Sequence, residues 1–208
     1  MNNIKLRKSY HCGEIKPYYR GIMHLLVSML MFLSFIVICF ENNYAFMGTM
    51  FVFASYVIST IFHLFHFELQ TDYNMNLLDH FGIQLHGIGM QMLSMNFNPL
   101  SMPTILQTIT FILDDILCLY FHNYISNIFH QITFFLAFAV GFFGTFGFDA
   151  FYNIFYFGGM MSYIIGGLFY IFKHPKSNEY WGFHELYHLF IGIADMIFFY
   201  DAYTNGNL

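Results

Sequence analysis

The amino-acid sequence predicts an all-α membrane protein, a bundle of seven transmembrane helices, from its composition and from the spacing of its polar breaks. Hydrophobic residues make up 58% of the 208 residues and charged residues only 9%, whereas a soluble domain carries about 25% charged residues. Thirty Phe and sixteen Tyr suit lipid-facing helices with aromatic ends. We therefore expect an integral multi-pass membrane protein, and no retention or lipidation motif assigns it to a particular membrane. The sequence carries no basic stripe or RNA-binding motif, so nucleic acid is not an expected partner.

Polar breaks divide the chain into apolar runs that are long enough to cross a bilayer. We expect a basic tail at residues 1–20, a membrane domain at residues 21–200 and a short tail at residues 201–208. The predicted spans, in order, are Gly21–Phe40, Tyr44–Phe67, Leu77–Phe97, Thr104–Phe121, Ile128–Phe148, Tyr152–Phe172 and Phe183–Tyr200.

The basic residues predict the orientation of the bundle, because cytosolic loops carry an excess of Lys and Arg. Five of the seven basic residues lie in the tail at residues 1–20. The other two, Lys173 and Lys176, lie between the sixth and seventh predicted spans. With seven spans, the tail and this loop fall on the same side. We therefore predict a cytosolic N-terminus and a C-terminus outside.

Three predicted spans carry metal-binding side chains near their cytosolic ends. His184 and His188 are four residues apart, which places both imidazoles on one face of a helix. His63 lies near the end of the second span and Asp79 near the start of the third. Ionisable residues in a membrane are costly and normally face the bundle interior. Zinc accepts His nitrogens, and a three-His site leaves a fourth position for water.

Two further polar residues lie at a similar depth. Ser59 precedes His63 by one turn on the same face, and His24 lies near the start of the first span. Asp79 accepts hydrogen bonds when it is ionised, so it can hold a water molecule and take its proton.

These motifs resemble the membrane family that includes hemolysin III proteins and the progestin and adipoQ receptors, with alkaline ceramidases as more distant relatives. The hemolysin III branch matches best, and the resemblance covers about residues 17–200. The motifs that carry it are Ser59-x-x-x-His63, Leu78-Asp79-His80, His184-x-x-x-His188, Tyr19-Arg20-Gly21-x-x-His24, Gly158-Gly159-Met160-x-x-Tyr163-x-x-Gly166 and Phe183-His184-Glu185-x-x-His188-Leu189-Phe190.

The resemblance implies a zinc ion near the cytosolic face, held by His63, His184 and His188. It also implies that Asp79 bonds to water on the metal and that Ser59 supports it. His66 follows His63 by one turn and is an alternative ligand, although the Ser-x-x-x-His register favours His63. The third span departs from the family because Gln84 and His86 make it more polar than expected.

Two functional hypotheses follow. The first is a zinc-dependent, ceramidase-like hydrolase that acts on an amide or ester of membrane lipids, with Asp79 as proton acceptor and Ser59 in a supporting role. The second is a pore-forming hemolysin with a structural zinc, which would permeabilise membranes and, as a pore, would allow an oligomer. Its polar path would be lined by Asp114, Asp115 and Asp195, residues that interhelical hydrogen bonding also explains.

The run His184-Glu185-x-x-His188 also matches the metalloprotease signature in which Glu is the general base. Such a site needs a further acidic ligand, and Asp195 lies about two turns beyond His188, out of reach of a shared metal. We therefore predict that Glu185 is a residue of the cytosolic interface.

Overall fold

The structure is a computed structural model that describes residues 16–37, 43–65, 67–93 and 153–204, with scattered helical residues between 105 and 116. Within these ranges the regular elements are α-helices. They are α1 (Ile22–Val37), α2 (Asn43–Leu64), α3 (Leu69–Leu93), α4 (Ile154–Phe172) and α5 (Phe183–Thr204). Most of the predicted spans at 104–121 and 128–148, including Asp114 and Asp115, lies outside the described residues, as does His66.

Helices α1, α2 and α4 begin and end close to the predicted spans, but α3 and α5 are longer than predicted. Helix α3 begins at Leu69 rather than at Leu77, so the polar run before Leu77 is helical and not a loop. Asp72 favours this start, because a carboxylate in the first turn interacts well with the helix dipole. Asp72 and Asn76 are buried one turn apart, so polar side chains face the bundle there. Helix α5 continues past Tyr200 to Thr204.

The described helices expose apolar side chains and bury polar ones. On α1, Met29 is 55% exposed and Leu33 54%, whereas His24 and Ser28 are buried. Two helical stretches are long and apolar enough to cross a membrane, namely Ala45–Leu64 and Ile154–Phe172. Apolar exteriors around polar interiors are expected when the solvent is lipid, because polar groups there must find partners inside the protein.

Helices α2 and α3 approach each other most closely where two glycines meet. A Cβ added at Gly89 would lie 2.6 Å from the Gly48 carbonyl oxygen, and one added at Gly48 would lie 2.6 Å from the Gly89 carbonyl oxygen. Small residues let helix backbones come this near in a membrane bundle. This contact fixes α2 against α3 and so fixes His63 relative to Asp79.

Helix α5 is held on two sides. A Cβ at Gly159 of α4 would lie 2.6 Å from the Phe198 ring, and the Ser162 hydroxyl donates to the Phe190 carbonyl at 2.8 Å. On the other side, a Cβ at Gly192 would lie 2.8 Å from Val27 of α1. Helix α5 therefore packs tightly between α1 and α4, which brings its histidines beside His24.

The glycine contact predicts that Gly89→Ala destabilises the protein by about 1–3 kcal/mol, because the new methyl group meets backbone rather than a flexible side chain. The matched control is Gly82→Ala on the same helix, where the added Cβ meets Ser55 at an ordinary 3.6 Å. That variant should be neutral or gain up to about 1 kcal/mol from helix propensity. Thermal unfolding in detergent measures both, and equal stability of the two variants would contradict the close contact.

Candidate metal centre

Histidines from three helices meet at the end of the bundle where α2 ends and α1 and α5 begin. His24 of α1, His63 of α2 and His188 of α5 each offer one ring nitrogen, and these nitrogens all lie within 4.8 Å of one another. The ring centroids of His24 and His188 are 3.9 Å apart, and those of His24 and His63 are 5.0 Å apart. A group of this kind can hold a metal ion, since neutral imidazole is a common ligand of zinc.

His184 lies at the edge of this group. Its ring centroid is 4.6 Å from that of His188 and 5.2 Å from that of His63. Helical geometry explains the position, because residues four apart on α5 share one face.

Five ring nitrogens of the four histidines are buried and lack hydrogen-bond partners within the described part of the chain. They are Nδ1 of His24, Nε2 of His63, Nε2 of His188 and both nitrogens of His184. Burying a polar atom without a partner costs about 1–3 kcal/mol. Several such atoms at one place fit a metal ion, which would satisfy them together.

Asp79 and Ser59 complete the group. The Asp79 Oδ2 atom is 3.7 Å from Nε2 of His63, and the carboxylate also receives a hydrogen bond from Ser59. The Ser59 hydroxyl is 3.4 Å from Nε2 of His24. The Asp79 Oδ1 atom is buried and without a partner among the described residues. Its lone pairs are therefore available to a ligand.

The structure thus brings together all five side chains that the sequence predicts for the site. They are Ser59, His63, Asp79, His184 and His188. It adds His24 to the group, since the three ring nitrogens that all lie within 4.8 Å of one another belong to His24, His63 and His188. The sequence indicated His24 through its depth and through the motif Tyr19-Arg20-Gly21-x-x-His24, but not as a ligand. Spacing along one helix could not reveal that α1 packs against α2 and α5.

The prediction that Glu185 is an interface residue was wrong. Glu185 is 1% exposed, and its Oε1 atom accepts a hydrogen bond from Nε of Arg20 at 2.9 Å. Burial is tolerated because the guanidinium supplies the opposite charge. This partner also makes Glu185 a poor candidate for the general base of a metalloprotease.

The segment before α1 closes over the same end of the bundle. Lys16 donates from Nζ to the carbonyl oxygens of Phe62 at 2.8 Å and Phe65 at 3.1 Å. These are among the last carbonyls of α2, where a cation is favoured. The backbone N–H of Tyr18 donates to the Glu179 carbonyl at 2.9 Å. Together with the Arg20–Glu185 pair, these contacts tie α1, α2 and α5 around the histidines.

Glu185→Gln should destabilise the protein by about 3–5 kcal/mol, because it leaves the Arg20 charge buried without its counterpart. Glu179→Gln is the matched control, since the Glu179 side chain is exposed. The double variant Arg20→Met/Glu185→Met should lose much less than Glu185→Gln. Thermal unfolding in detergent measures all three, and a Glu185→Gln variant as stable as Glu179→Gln would exclude a stabilising ion pair.

Apolar helices that enclose buried polar side chains define an integral membrane protein. At one end of its bundle, a group of histidines is able to hold a metal. Comparison with known families then identifies the relationship. The chain matches the haemolysin-III related family over residues 13–199 and belongs to that family, so the resemblance in the sequence motifs is confirmed. No curated protein and no solved structure matches the chain.

Proposed function

We propose that this protein is a zinc-dependent hydrolase that acts within the membrane on a lipid amide or ester. The observation that carries the proposal is the meeting of unpartnered histidine nitrogens with Asp79 and Ser59 in a buried site. A purely structural metal site needs no adjacent carboxylate with an unused oxygen. A hydrolytic site does, because a proton must leave the attacking water.

His63 and His188 belong both to the ligand set predicted from sequence and to the three histidines whose nitrogens lie within 4.8 Å of one another. We assign the third ligand to His184, since both of its ring nitrogens lack partners among the described residues. His24 has one ring nitrogen within 3.4 Å of the Ser59 hydroxyl. It is the alternative third ligand, through its other nitrogen. When bound, zinc polarises a carbonyl oxygen and brings the pKa of water to about 7.

Asp79 is the proton acceptor in this proposal and Ser59 orients it. The Ser59 hydrogen bond fixes one carboxylate oxygen and leaves Oδ1 to receive the proton. Glu185 takes no part, because Arg20 holds it.

The predicted orientation puts the site near the cytosolic face, at the depth of lipid headgroups, where the amide or ester bond of a lipid lies. Membrane lipids are therefore the proposed substrates. The rival pore hypothesis gains no support from Asp195, which is 0% exposed and surrounded by hydrogen-bond donors. A residue enclosed in this way does not line an open aqueous path.

Metal content tests the ligand assignment. Purified wild-type protein should carry about one zinc per chain, the number that one three-His site binds. His63→Ala and His184→Ala should both lose it, whereas His174→Ala, which changes an exposed histidine, should retain it. Retention of zinc in His184→Ala with loss in His24→Ala would instead assign the third ligand to His24. Absence of zinc from folded wild-type protein would refute the zinc site.

Asp79→Asn should keep zinc but lower lipid hydrolysis by about 10²–10⁴-fold, because the amide cannot accept the proton. The assay follows release of fatty acid from a panel of lipid amides and esters in detergent micelles. Asp72→Asn on the same helix is the control, and it should keep its activity if it folds. Full turnover by Asp79→Asn would exclude the proposed role, and no turnover of any lipid by zinc-loaded wild type would count against the hydrolase.

A further inference from the structure

A second polar group lies deeper in the bundle, and the proposed hydrolysis does not use it. Asp195 of α5 is its centre and is fully buried. The Tyr56 hydroxyl donates to Oδ2 of Asp195, and the Tyr163 hydroxyl donates to Oδ1. Nε2 of His86 lies 3.1 Å from the same Oδ1 atom and 3.3 Å from the Tyr163 oxygen. Three helices, α2, α3 and α4, therefore direct side chains at one carboxylate of α5.

The contacts of Asp195 suit an ionised carboxylate. Each of the two tyrosine hydroxyls can donate one hydrogen, so both carboxylate oxygens can act as acceptors. A buried carboxylate inside a membrane protein requires a nearby positive charge, and Nε2 of His86 is a basic nitrogen 3.1 Å from it.

The contacts of Ser55 bear on the protonation state of His86. The Ser55 hydroxyl donates to the Val52 carbonyl at 2.7 Å, which uses its single hydrogen. Its oxygen is 3.3 Å from Nδ1 of His86. The contact is a hydrogen bond only if Nδ1 carries a proton that the serine accepts. If Nε2 donates to Oδ1 of Asp195 while Nδ1 donates to Ser55, both ring nitrogens carry protons, and the two contacts together fit an imidazolium.

We propose that His86 and Asp195 form a buried imidazolium–carboxylate pair, a proton-binding site in the interior of the bundle that is separate from the histidine centre. The ligand of this site is a single proton. The pair is neutral overall, so it can lie in a low-dielectric region. Loss of the proton would leave the Asp195 charge buried with only neutral donors around it.

The groups that face the pair come from each helix around it. Tyr56 and Ser55 lie on α2, Tyr163 lies on α4, and His86 and Asp195 belong to α3 and α5. No second carboxylate and no Lys or Arg contacts the pair in the part of the chain that the structure describes. From the metal group, His24 interacts electrostatically with His86, and its ring contacts Tyr56 at a centroid distance of 6.0 Å. Tyr187 of α5 interacts electrostatically with Asp195. Asp195 itself lies about 10 Å along α5 from His188.

The test is nitrogen NMR on full-length protein labelled with ¹⁵N-histidine in lipid nanodiscs near pH 7. Comparison with His86→Gln identifies the His86 signals. Wild-type protein should show two protonated ring nitrogens at His86. A non-protonated ring nitrogen at His86 would overturn the proposal.

Two further measurements separate the site from its surroundings. Asp195→Asn should leave His86 with one non-protonated nitrogen, whereas Asp201→Asn, a change at another buried carboxylate of α5, should leave both nitrogens protonated. Removal of metal with a chelator should alter signals of the histidine centre and leave those of His86 unchanged. A protonated His86 in Asp195→Asn, or a His86 that loses its proton on chelation, would contradict an independent site.

Discussion

The constraint on which this structure depends is that a helix bundle in lipid has no water inside to satisfy its polar groups. Each buried donor or acceptor must find a partner in the protein or bind something that the protein collects. The described helices bury several ionisable groups, among them Glu185, Asp195 and Asp201. Each of these three has an identified partner, namely Arg20, the tyrosines with His86, and Asn153. Against this background, the concentration of unpartnered histidine nitrogens beside Asp79 is informative.

The four histidines and Asp79 lie together at one end of the bundle. A metal ion, which we propose for this site, would explain why side chains from α1, α2, α3 and α5 converge there while several of their polar atoms lack hydrogen-bond partners among the described residues. The surrounding contacts hold the histidines in place without contributing to the ligands. Lys16 stabilises the end of α2, and the Arg20–Glu185 pair joins α5 to the segment before α1. The glycine contact between α2 and α3 fixes the distance from His63 to Asp79.

Among the described residues, the sequence alone predicted the helices with apolar runs well, and it indicated the proximity of two histidines whose spacing lies within one helix. The pairing of His184 with His188 is a local property of helical spacing. The approach of His24 to these histidines is not a local property, because it depends on how α1 packs against two helices that are distant in the sequence. The start of α3 was missed for a related reason. A polar run predicts a loop when the residues that pack against it are unknown. The sequence did not show that Asp72 and Asn76 face the interior. The burial of Glu185 likewise depends on Arg20, far away along the chain.

The two polar centres illustrate opposite ways to place charge in a membrane. Around Asp195, donors and acceptors match one another, and the pairing with His86 across α3 and α5 closes the network. Around Asp79, a carboxylate oxygen and the histidine nitrogens remain without partners. In the Asp195 group, where each donor faces an acceptor, we propose that the proton is retained. In the Asp79 group, the atoms without partners require a ligand. Tyr56 contacts both centres, through its hydroxyl on Asp195 and its ring on His24. The closed network therefore also forms part of the wall of the site that we propose binds the metal.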